Sequence, residues 1–335
     1  MIRVGLAGYG LAGSVFHAPL IRACERMELA AVLTSRDVPG RVGTLDELLE
    51  RSDLMVVASP NTTHFNIAAA ALKAGKHVVM DKPFTVTIDE ADELIALANE
   101  RQRVLTVFHN RRWDSDFLTV RKLFVELGDV KLFEAHWDRF RPAIKQGWRE
   151  EPEPGSGLLS DLGPHLIDQA LMLFGMPDVI GADIFAQRGD AKVDDYFDLT
   201  LHYGARRVTL KSSSLIAAPR PRFALYGTAG SFVKYGLDPQ EAQLKAGIDP
   251  KADGFALDES DGTLTFIDAR ARKVPSERGD YLAFYEAVAD AILDGAPPPV
   301  APQDARDGLL LIDLARRAAA QGRALLVPDA SSTAA

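Results

Sequence analysis

Residues 2–13 read Ile2-Arg3-Val4-Gly5-Leu6-Ala7-Gly8-Tyr9-Gly10-Leu11-Ala12-Gly13. The first six form a short, nearly continuous apolar run of strand type, and the last six have the spacing G-x-G-x-x-G. Between a strand and a helix, each glycine has a separate task. Gly8 permits a tight turn, Gly10 lets the backbone approach a pyrophosphate, and Gly13 lets helix and strand pack closely. The amides around Leu11 then open a helix N-terminus, whose unpaired N–H groups and partial positive charge suit an anion. A glycine-rich turn without a ligand is the alternative reading, and the strand-to-helix context argues against it.

Further short apolar runs follow at residues 28–34, 54–58, 77–80 and 104–108, with helical stretches between them at residues 13–26, 45–50, 62–74 and 88–100. Thr44 is a candidate N-cap, Gly75 a candidate C-cap, and Thr87-Ile88-Asp89-Glu90 fits a capping box. Strands alternating with helices imply right-handed crossovers and a doubly wound parallel sheet. After about residue 115 the texture changes. Residues 115–127 read as a helix, 130–141 alternate as a half-exposed strand, and 158–174 form a helix between Gly157 and Gly175. Strand-like runs at 179–187, 196–203, 207–213 and 223–226 come without interleaved helices, which suggests an open, mainly antiparallel sheet. Residues 281–293 and 305–320 read as closing helices. The expected organisation is an α/β chain in two parts. Residues 1–118 form a dinucleotide-binding domain, 119–330 an α/β domain for substrate binding and oligomerisation, and 331–335 a tail.

The 335 residues carry 38 basic and 47 acidic side chains, a net charge of −9, which argues against a nucleic-acid partner because that needs a basic footprint. With Cys24 alone, neither an intrachain disulfide nor a cysteine-based zinc cluster can form. No apolar run approaches the roughly 18 residues of a membrane helix. Met1 leads straight into a strand-like run rather than a longer apolar segment. The expectations are a cytoplasmic location and no membrane partner.

Dinucleotide choice is decided at the tip of the second strand. NAD sites place Asp or Glu there to hold the ribose 2′-hydroxyl. Here the strand ends Val32-Leu33-Thr34-Ser35-Arg36. Arg36 can grip a 2′-phosphate in a charge-assisted fork, and Ser35 can add a hydrogen bond. NADP (as NADPH) is therefore expected over NAD. Asp37 is the counter-signal, since a slightly longer strand would turn it toward the ribose, and NAD remains open. Pro60, Asn61 and His64 follow the third strand at the ligand-binding edge of such a sheet, and Asn61 and His64 are candidates to line the cofactor.

Hydride chemistry at a carbinol also needs a group that exchanges the hydroxyl proton. Asp81-Lys82-Pro83 follows the fourth strand, which puts Lys82 at the same edge, with Asp81 beside it. Asp161-Leu162-Gly163-Pro164-His165 supplies the second constellation. Positions 161, 165 and 168 share one helical face, and Pro164 is tolerated only near a helix start. His is the natural proton carrier near neutral pH. Asp161 and His165 have no third ligand nearby, so no metal is expected. Trp113, Trp148, Arg111, Arg112, Arg139, Arg141 and Arg149 form an aromatic and basic set suited to the C–H faces and hydroxyls of a polyol.

Taken together these residues resemble the glucose–fructose oxidoreductase, inositol dehydrogenase and rhizopine catabolism family, Gfo/Idh/MocA, over nearly the whole chain. Residues 8–13 match its dinucleotide loop. Asp81-Lys82-Pro83 matches its Glu-Lys-Pro signature, with an acid one methylene shorter. Asn110-Arg111-Arg112-Trp113-Asp114 matches its N-R-R-aromatic-D segment, and Asp161 with His165 its D-x-x-x-H pair. Phe16-His17-Ala18-Pro19-Leu20, the run from Phe108 to Leu118, and Val233-Lys234-Tyr235-Gly236-Leu237-Asp238 are similar to the NADP-dependent scyllo-inositol dehydrogenase-like branch. The resemblance implies Lys82, Asp161 and His165 as the catalytic trio and homodimers or homotetramers built on the C-terminal sheet. Asn110, Arg111, Trp113, Trp148 and Arg149 join Asp161 and His165 as expected substrate contacts. The function expected is NADP-dependent interconversion of a secondary alcohol of a cyclitol or sugar with its ketone. A reductase of another carbonyl, such as an anhydrosugar or a biliverdin-like compound, and a dinucleotide-binding regulator without turnover are the alternatives.

Overall fold

Six parallel strands form the first sheet of the computed structural model, which describes residues 1–145, 147 and 150–328. They are β1 (Ile2–Ala7), β2 (Met27–Leu33), β3 (Arg41–Val42), β4 (Leu54–Val57), β5 (His77–Met80) and β6 (Leu105–Val107), in the order β3-β2-β1-β4-β5-β6. All four residues of β4 are buried, as expected of a strand covered on both faces. The order reverses between β1 and β4, the point where sheets of this kind open a crevice at their carboxyl ends.

Local chemistry sets the helix boundaries. Thr44 Oγ1 accepts the Glu47 amide at 3.3 Å and starts the helix Leu45–Glu50. Thr87 and Glu90 cap the helix Ile88–Arg101 reciprocally, the capping box read from sequence. The helix after the glycine loop differs from the single helix expected over residues 13–26. It begins as a wide π-helical turn, Ala12–His17, and only then becomes an α-helix, Ala18–Ala23. Pro19 gives the reason: it has no N–H, and its ring would crowd the Val15 carbonyl in a regular α-helix.

Nine strands form the second sheet: β7 (Val130–His136), β8 (Val179–Phe185), β9 (Tyr196–Tyr203), β10 (Arg206–Ser213), β11 (Phe223–Gly227), β12 (Gly230–Lys234), β13 (Gly262–Phe266), β14 (Ala271–Val274) and β15 (Leu325–Leu326). Their order is β14-β13-β12-β11-β7-β10-β9-β8-β15, antiparallel except for the parallel pair β7 and β10. Phe197, Leu199 and Leu201 of β9 are buried, while Asp198 and Thr200 between them are half-buried, the alternation of a sheet with one core face. The fold is α/β, a doubly wound parallel sheet and a large, mainly antiparallel one, as the sequence implies.

The chain forms two compact units. The first comprises Met1–Asp114, Asp238–Leu257 and Gly279–Arg306. Its core brings Leu6, Val56 and Phe108 together with Phe284, Tyr285 and Val288 of the helix Leu282–Leu293. The second comprises Ser115–Leu237, Asp258–Arg278 and the described residues from Asp307 on. Its core packs Phe133, Leu199 and Leu210 with Leu162 and Leu166 of the helix Leu158–Phe174. No helix among the described residues is long and apolar enough to cross a membrane.

Candidate functional site

In the first unit, parallel running brings five loops to one edge of the sheet. They carry residues 8–13 after β1, Ser35 and Arg36 after β2, Pro60, Asn61 and His64 after β4, Asp81 and Lys82 after β5, and Asn110, Arg111 and Trp113 after β6.

The three loop glycines are required for different reasons. Gly8 has φ +100°, and a Cβ there would lie 2.5 Å from the Ala58 carbonyl oxygen. A Cβ on Gly13 would lie 2.1 Å from the Gly8 carbonyl oxygen. At Gly10 an added Cβ meets nothing within 4 Å, and neighbouring Leu11 is exposed. Packing inside the protein thus accounts for two of the glycines and leaves the third open, as in a loop that a ligand approaches. Asn61 gives a second sign of fit: it is buried, yet its Oδ1 accepts no hydrogen bond among the described residues. A buried acceptor of this kind suits a donor on a bound dinucleotide, such as a ribose hydroxyl. Ser35 and Arg36 are both exposed just beyond β2, and the strand does not extend to Asp37.

His64 is buried and joins two of these loops. Its Nδ1 lies 3.0 Å from the Pro83 carbonyl oxygen and its Nε2 3.0 Å from that of Ser59. Its ring thus packs between the carbonyls of the loops after β4 and β5, and each N–H it carries ties it to one of them. The Lys82–Pro83 peptide bond is cis, and the Lys82 amide donates to Asp81 Oδ1 at 2.8 Å. Burial alone would raise the Asp81 carboxyl, but neighbouring His17, then the charges of Lys82 and His64, hold it below the usual range. His17 is fully buried, 3.8 Å from Asp81 through Nε2, and its Nδ1 shares a hydrogen bond of 2.6 Å with Tyr285 Oη. Sequence alone gives His17 no task, because the acid that it faces lies 64 residues further along the chain.

Arg111 is buried and held inside the first unit by Glu241, by the hydroxyl of Tyr281 and by Asp114. Arg112 pairs with Asp304 at 2.9 Å. Asn110 is buried, and Trp113 is half-buried with its ring edge-on to Phe284.

In the second unit, Asp161 and His165 lie one turn apart on the helix Leu158–Phe174, as their spacing predicts. Gly157 precedes the helix at φ +86°, where a Cβ would lie 2.3 Å from Asp194 Oδ1. That close approach lets Asp194 Oδ2 accept the Leu159 amide at 2.6 Å and cap the first turn. Pro164 stands further into the helix than the sequence reading allows, at its seventh residue. Without an N–H it makes no bond back to the Ser160 carbonyl, whose own Oγ accepts from Arg316. Arg139 Nη1 donates to Asp161 Oδ2 at 3.3 Å. His165 is buried with its ring centroid 5.9 Å from that of Trp137. Trp137 sits at the end of an alternating strand pattern, so in sequence it reads as core. Asp168 is buried on the same helix. Trp148 and Arg149 lie outside the described residues.

Comparison with known proteins bears on both units. Residues 2–109 match the family description "Oxidoreductase family, NAD-binding Rossmann fold", and residues 125–327 match "Oxidoreductase family, C-terminal alpha/beta domain". The chain is 46% identical over 328 residues to the uncharacterized oxidoreductase YdgJ of Escherichia coli, covering 93% of this chain and 95% of that protein. It is 39% identical over 343 residues to the scyllo-inositol 2-dehydrogenase (NADP(+)) IolW of Bacillus subtilis, covering 97% and 96%. The solved structure of YvaA from Bacillus subtilis superposes with a TM-score of 0.95 at 38% identity, covering 98% of each chain. The chain belongs to the Gfo/Idh/MocA family of NAD(P)-dependent oxidoreductases.

Proposed function

We propose that the protein uses NADP(H) to interconvert a secondary alcohol of a cyclitol or sugar with its ketone. The observation that carries the cofactor choice is the tip of β2, where exposed Ser35 and Arg36 stand in place of a carboxylate. A carboxylate there would repel a 2′-phosphate, and a guanidinium attracts one. The substrate class rests on the similarity to IolW, a scyllo-inositol 2-dehydrogenase.

Gly8, Gly10, Leu11 and Gly13 would face the pyrophosphate, Ser35 and Arg36 the 2′-phosphate, and Pro60, Asn61, Asp81 and Lys82 the redox end. His64 would act by holding two of these loops. Hydride exchange is the chemistry that a nicotinamide dinucleotide supplies when bound. The protein's share is the proton and the charge. Lys82 would hydrogen-bond the reacting oxygen and stabilise the alkoxide charge that develops on it. His165 would take the hydroxyl proton in oxidation and return it in reduction. Asp161, steadied by Arg139, would hold a neighbouring hydroxyl. Asn110, Trp113, Trp148 and Arg149 are further proposed substrate contacts. We assign the chain to the cytoplasm, as a homodimer or homotetramer formed through the nine-stranded sheet.

The test is a set of inososes and keto-sugars assayed with NADPH and with NADH on wild type, Lys82→Ala and His165→Ala. Each substitution is expected to lower turnover at least about 100-fold while NADPH affinity, read by fluorescence, stays within a few-fold. Undiminished turnover in both variants would remove the proposed roles.

A further inference from the structure

Beyond Arg36, a second guanidinium reaches the tip of β2. Residues 34–40 leave that strand and fold straight back. The Val32 amide donates to the Gly40 carbonyl oxygen at 2.9 Å, and the Arg41 amide to that of Val38 at 3.2 Å. Gly40 makes the return with φ +75°, a left-handed conformation that glycine adopts without strain. β3 then pairs beside β2 in parallel, Val32 opposite Arg41 and Leu33 opposite Val42.

Thr34 gathers both arginines. Its Oγ1 accepts the Arg36 amide at 3.1 Å, and its carbonyl oxygen accepts Arg41 Nε at 3.1 Å. One residue at the strand tip therefore holds the backbone of one arginine and the side chain of the other. Using Nε on Thr34 leaves the two Nη groups of Arg41 for another acceptor. Both arginines are exposed, and neither pairs with a carboxylate among the described residues. Elsewhere in the first unit Arg3, Arg26, Arg111 and Arg112 pair with acids, while among the described residues exposed Arg22, Arg51 and Arg103 do not; what sets Arg36 and Arg41 apart is their shared anchor on Thr34 at the strand tip. In a chain of net charge −9, the tip of β2 thus gathers two arginines against one exposed acid, Asp37, a local excess of positive charge.

We propose that Arg41 is the second arm of a clamp, with Arg36, for a phosphomonoester on the adenosine side of the cofactor. The proposal rests on reading the cofactor as NADP and deepens it by naming a residue that sets the specificity. A phosphomonoester near neutral pH carries close to two negative charges and three acceptor oxygens, so a single guanidinium leaves both charge and acceptors unmatched. Arg36 in the loop after β2 and Arg41 at the start of β3 would together supply the charge-assisted donors. Arg41 is pre-oriented by Thr34, so little rotamer freedom remains to be lost on binding. NAD lacks this phosphate, so whatever Arg41 contributes through it goes into selectivity rather than into general affinity.

The experiment measures dissociation constants for NADPH, NADH and adenosine 2′,5′-bisphosphate by fluorescence and calorimetry. The proteins are wild type, Arg41→Ala, Arg41→Lys, Arg36→Ala and the double alanine variant. Both arginines are exposed, and the thermal midpoint of each variant checks that its fold is intact. Arg41→Ala is expected to weaken NADPH and the bisphosphate about tenfold or more, with NADH changed by less than about twofold. Arg41→Lys is expected to fall between Arg41→Ala and wild type, because it keeps the charge and loses the fork. The salt dependence of NADPH binding should be shallower in Arg41→Ala than in wild type. If wild type prefers NADPH and Arg41→Ala weakens NADPH and NADH equally, or neither, Arg41 is no part of the clamp although the cofactor reading stands. If wild type binds NADH as tightly as NADPH, the cofactor reading falls and the clamp falls with it.

Discussion

Gly10 and Gly13 are the same residue type three positions apart, and the structure separates their tasks. Alanine at 13 puts a Cβ against a backbone carbonyl with no flexible neighbour to yield, whereas alanine at 10 enters open space. Gly13→Ala is therefore expected to lower folding stability by at least about 2 kcal/mol, the scale of overpacking against atoms that cannot move. Gly10→Ala should stay within about 0.5 kcal/mol of wild type and yet bind NADPH several-fold more weakly. Urea denaturation and cofactor titration of the two variants check this. Equal loss of stability in both would mean that Gly10 too is there for packing. The separate tasks were readable from the spacing, but the atoms that enforce them were not, because the crowding at Gly13 depends on the approach of the Gly8 carbonyl in space. His64 makes the same point. Its place one turn into a helix fits a cofactor contact or a packing role, and only the fold shows that its ring nitrogens face the carbonyls of Ser59 and Pro83.

Elements were most legible where their own residues decide them. Thr87 and Glu90 satisfy each other's backbone across three residues, so the start of the helix Ile88–Arg101 could be read to the residue. Thr87→Ala is expected to cost about 1 kcal/mol in urea denaturation and to leave NADPH affinity unchanged, because the cap is a local bond at a helix start. The helix Leu158–Phe174 was equally legible between its two glycines, although Pro164 inside it breaks the local rule. β1, with a continuous apolar run, was readable at both ends. Strands β12 to β15 were not, because runs such as Gly230–Lys234 and Ala271–Val274 are short and weakly patterned. Their extended form comes from pairing with neighbours rather than from their own propensity. Arg41–Val42 was missed for the same reason, and with it the second arginine at the tip of β2.

At the scale of the molecule, the first unit is assembled from three separated stretches, and sequence gives no sign of that. Arg111 joins all three: its partners are Asp114 on its own stretch, Glu241 on the second and Tyr281 on the third. Its segment and basic character point to the substrate in sequence, and its partners 130 and 170 residues away are visible only in the fold. This ion network has a pH signature. Burial would raise the Glu241 carboxyl, but the Arg111 charge, helped by Lys245, pulls it from its usual value near 4.5 down to about 2. Its folded value lies below its unfolded one. The stabilisation is therefore complete above pH 4.5, shrinks as pH falls, and is gone once the folded group protonates near pH 2. The shift corresponds to at most about 3 kcal/mol, and less after screening, because Glu241 is partly exposed. Glu241→Gln should cost about 2 kcal/mol near neutral pH, since buried Arg111 loses one of its acids and keeps Asp114 and Tyr281. The variant should also show a shallower fall in stability than wild type between pH 4.5 and pH 2. Urea denaturation at half-unit steps of pH measures both quantities. Parallel curves for the two proteins across that window would show that Glu241 does not titrate with folding, and would leave the apolar cluster of Phe108, Leu244, Phe255, Phe284 and Tyr285 as what holds the three stretches together.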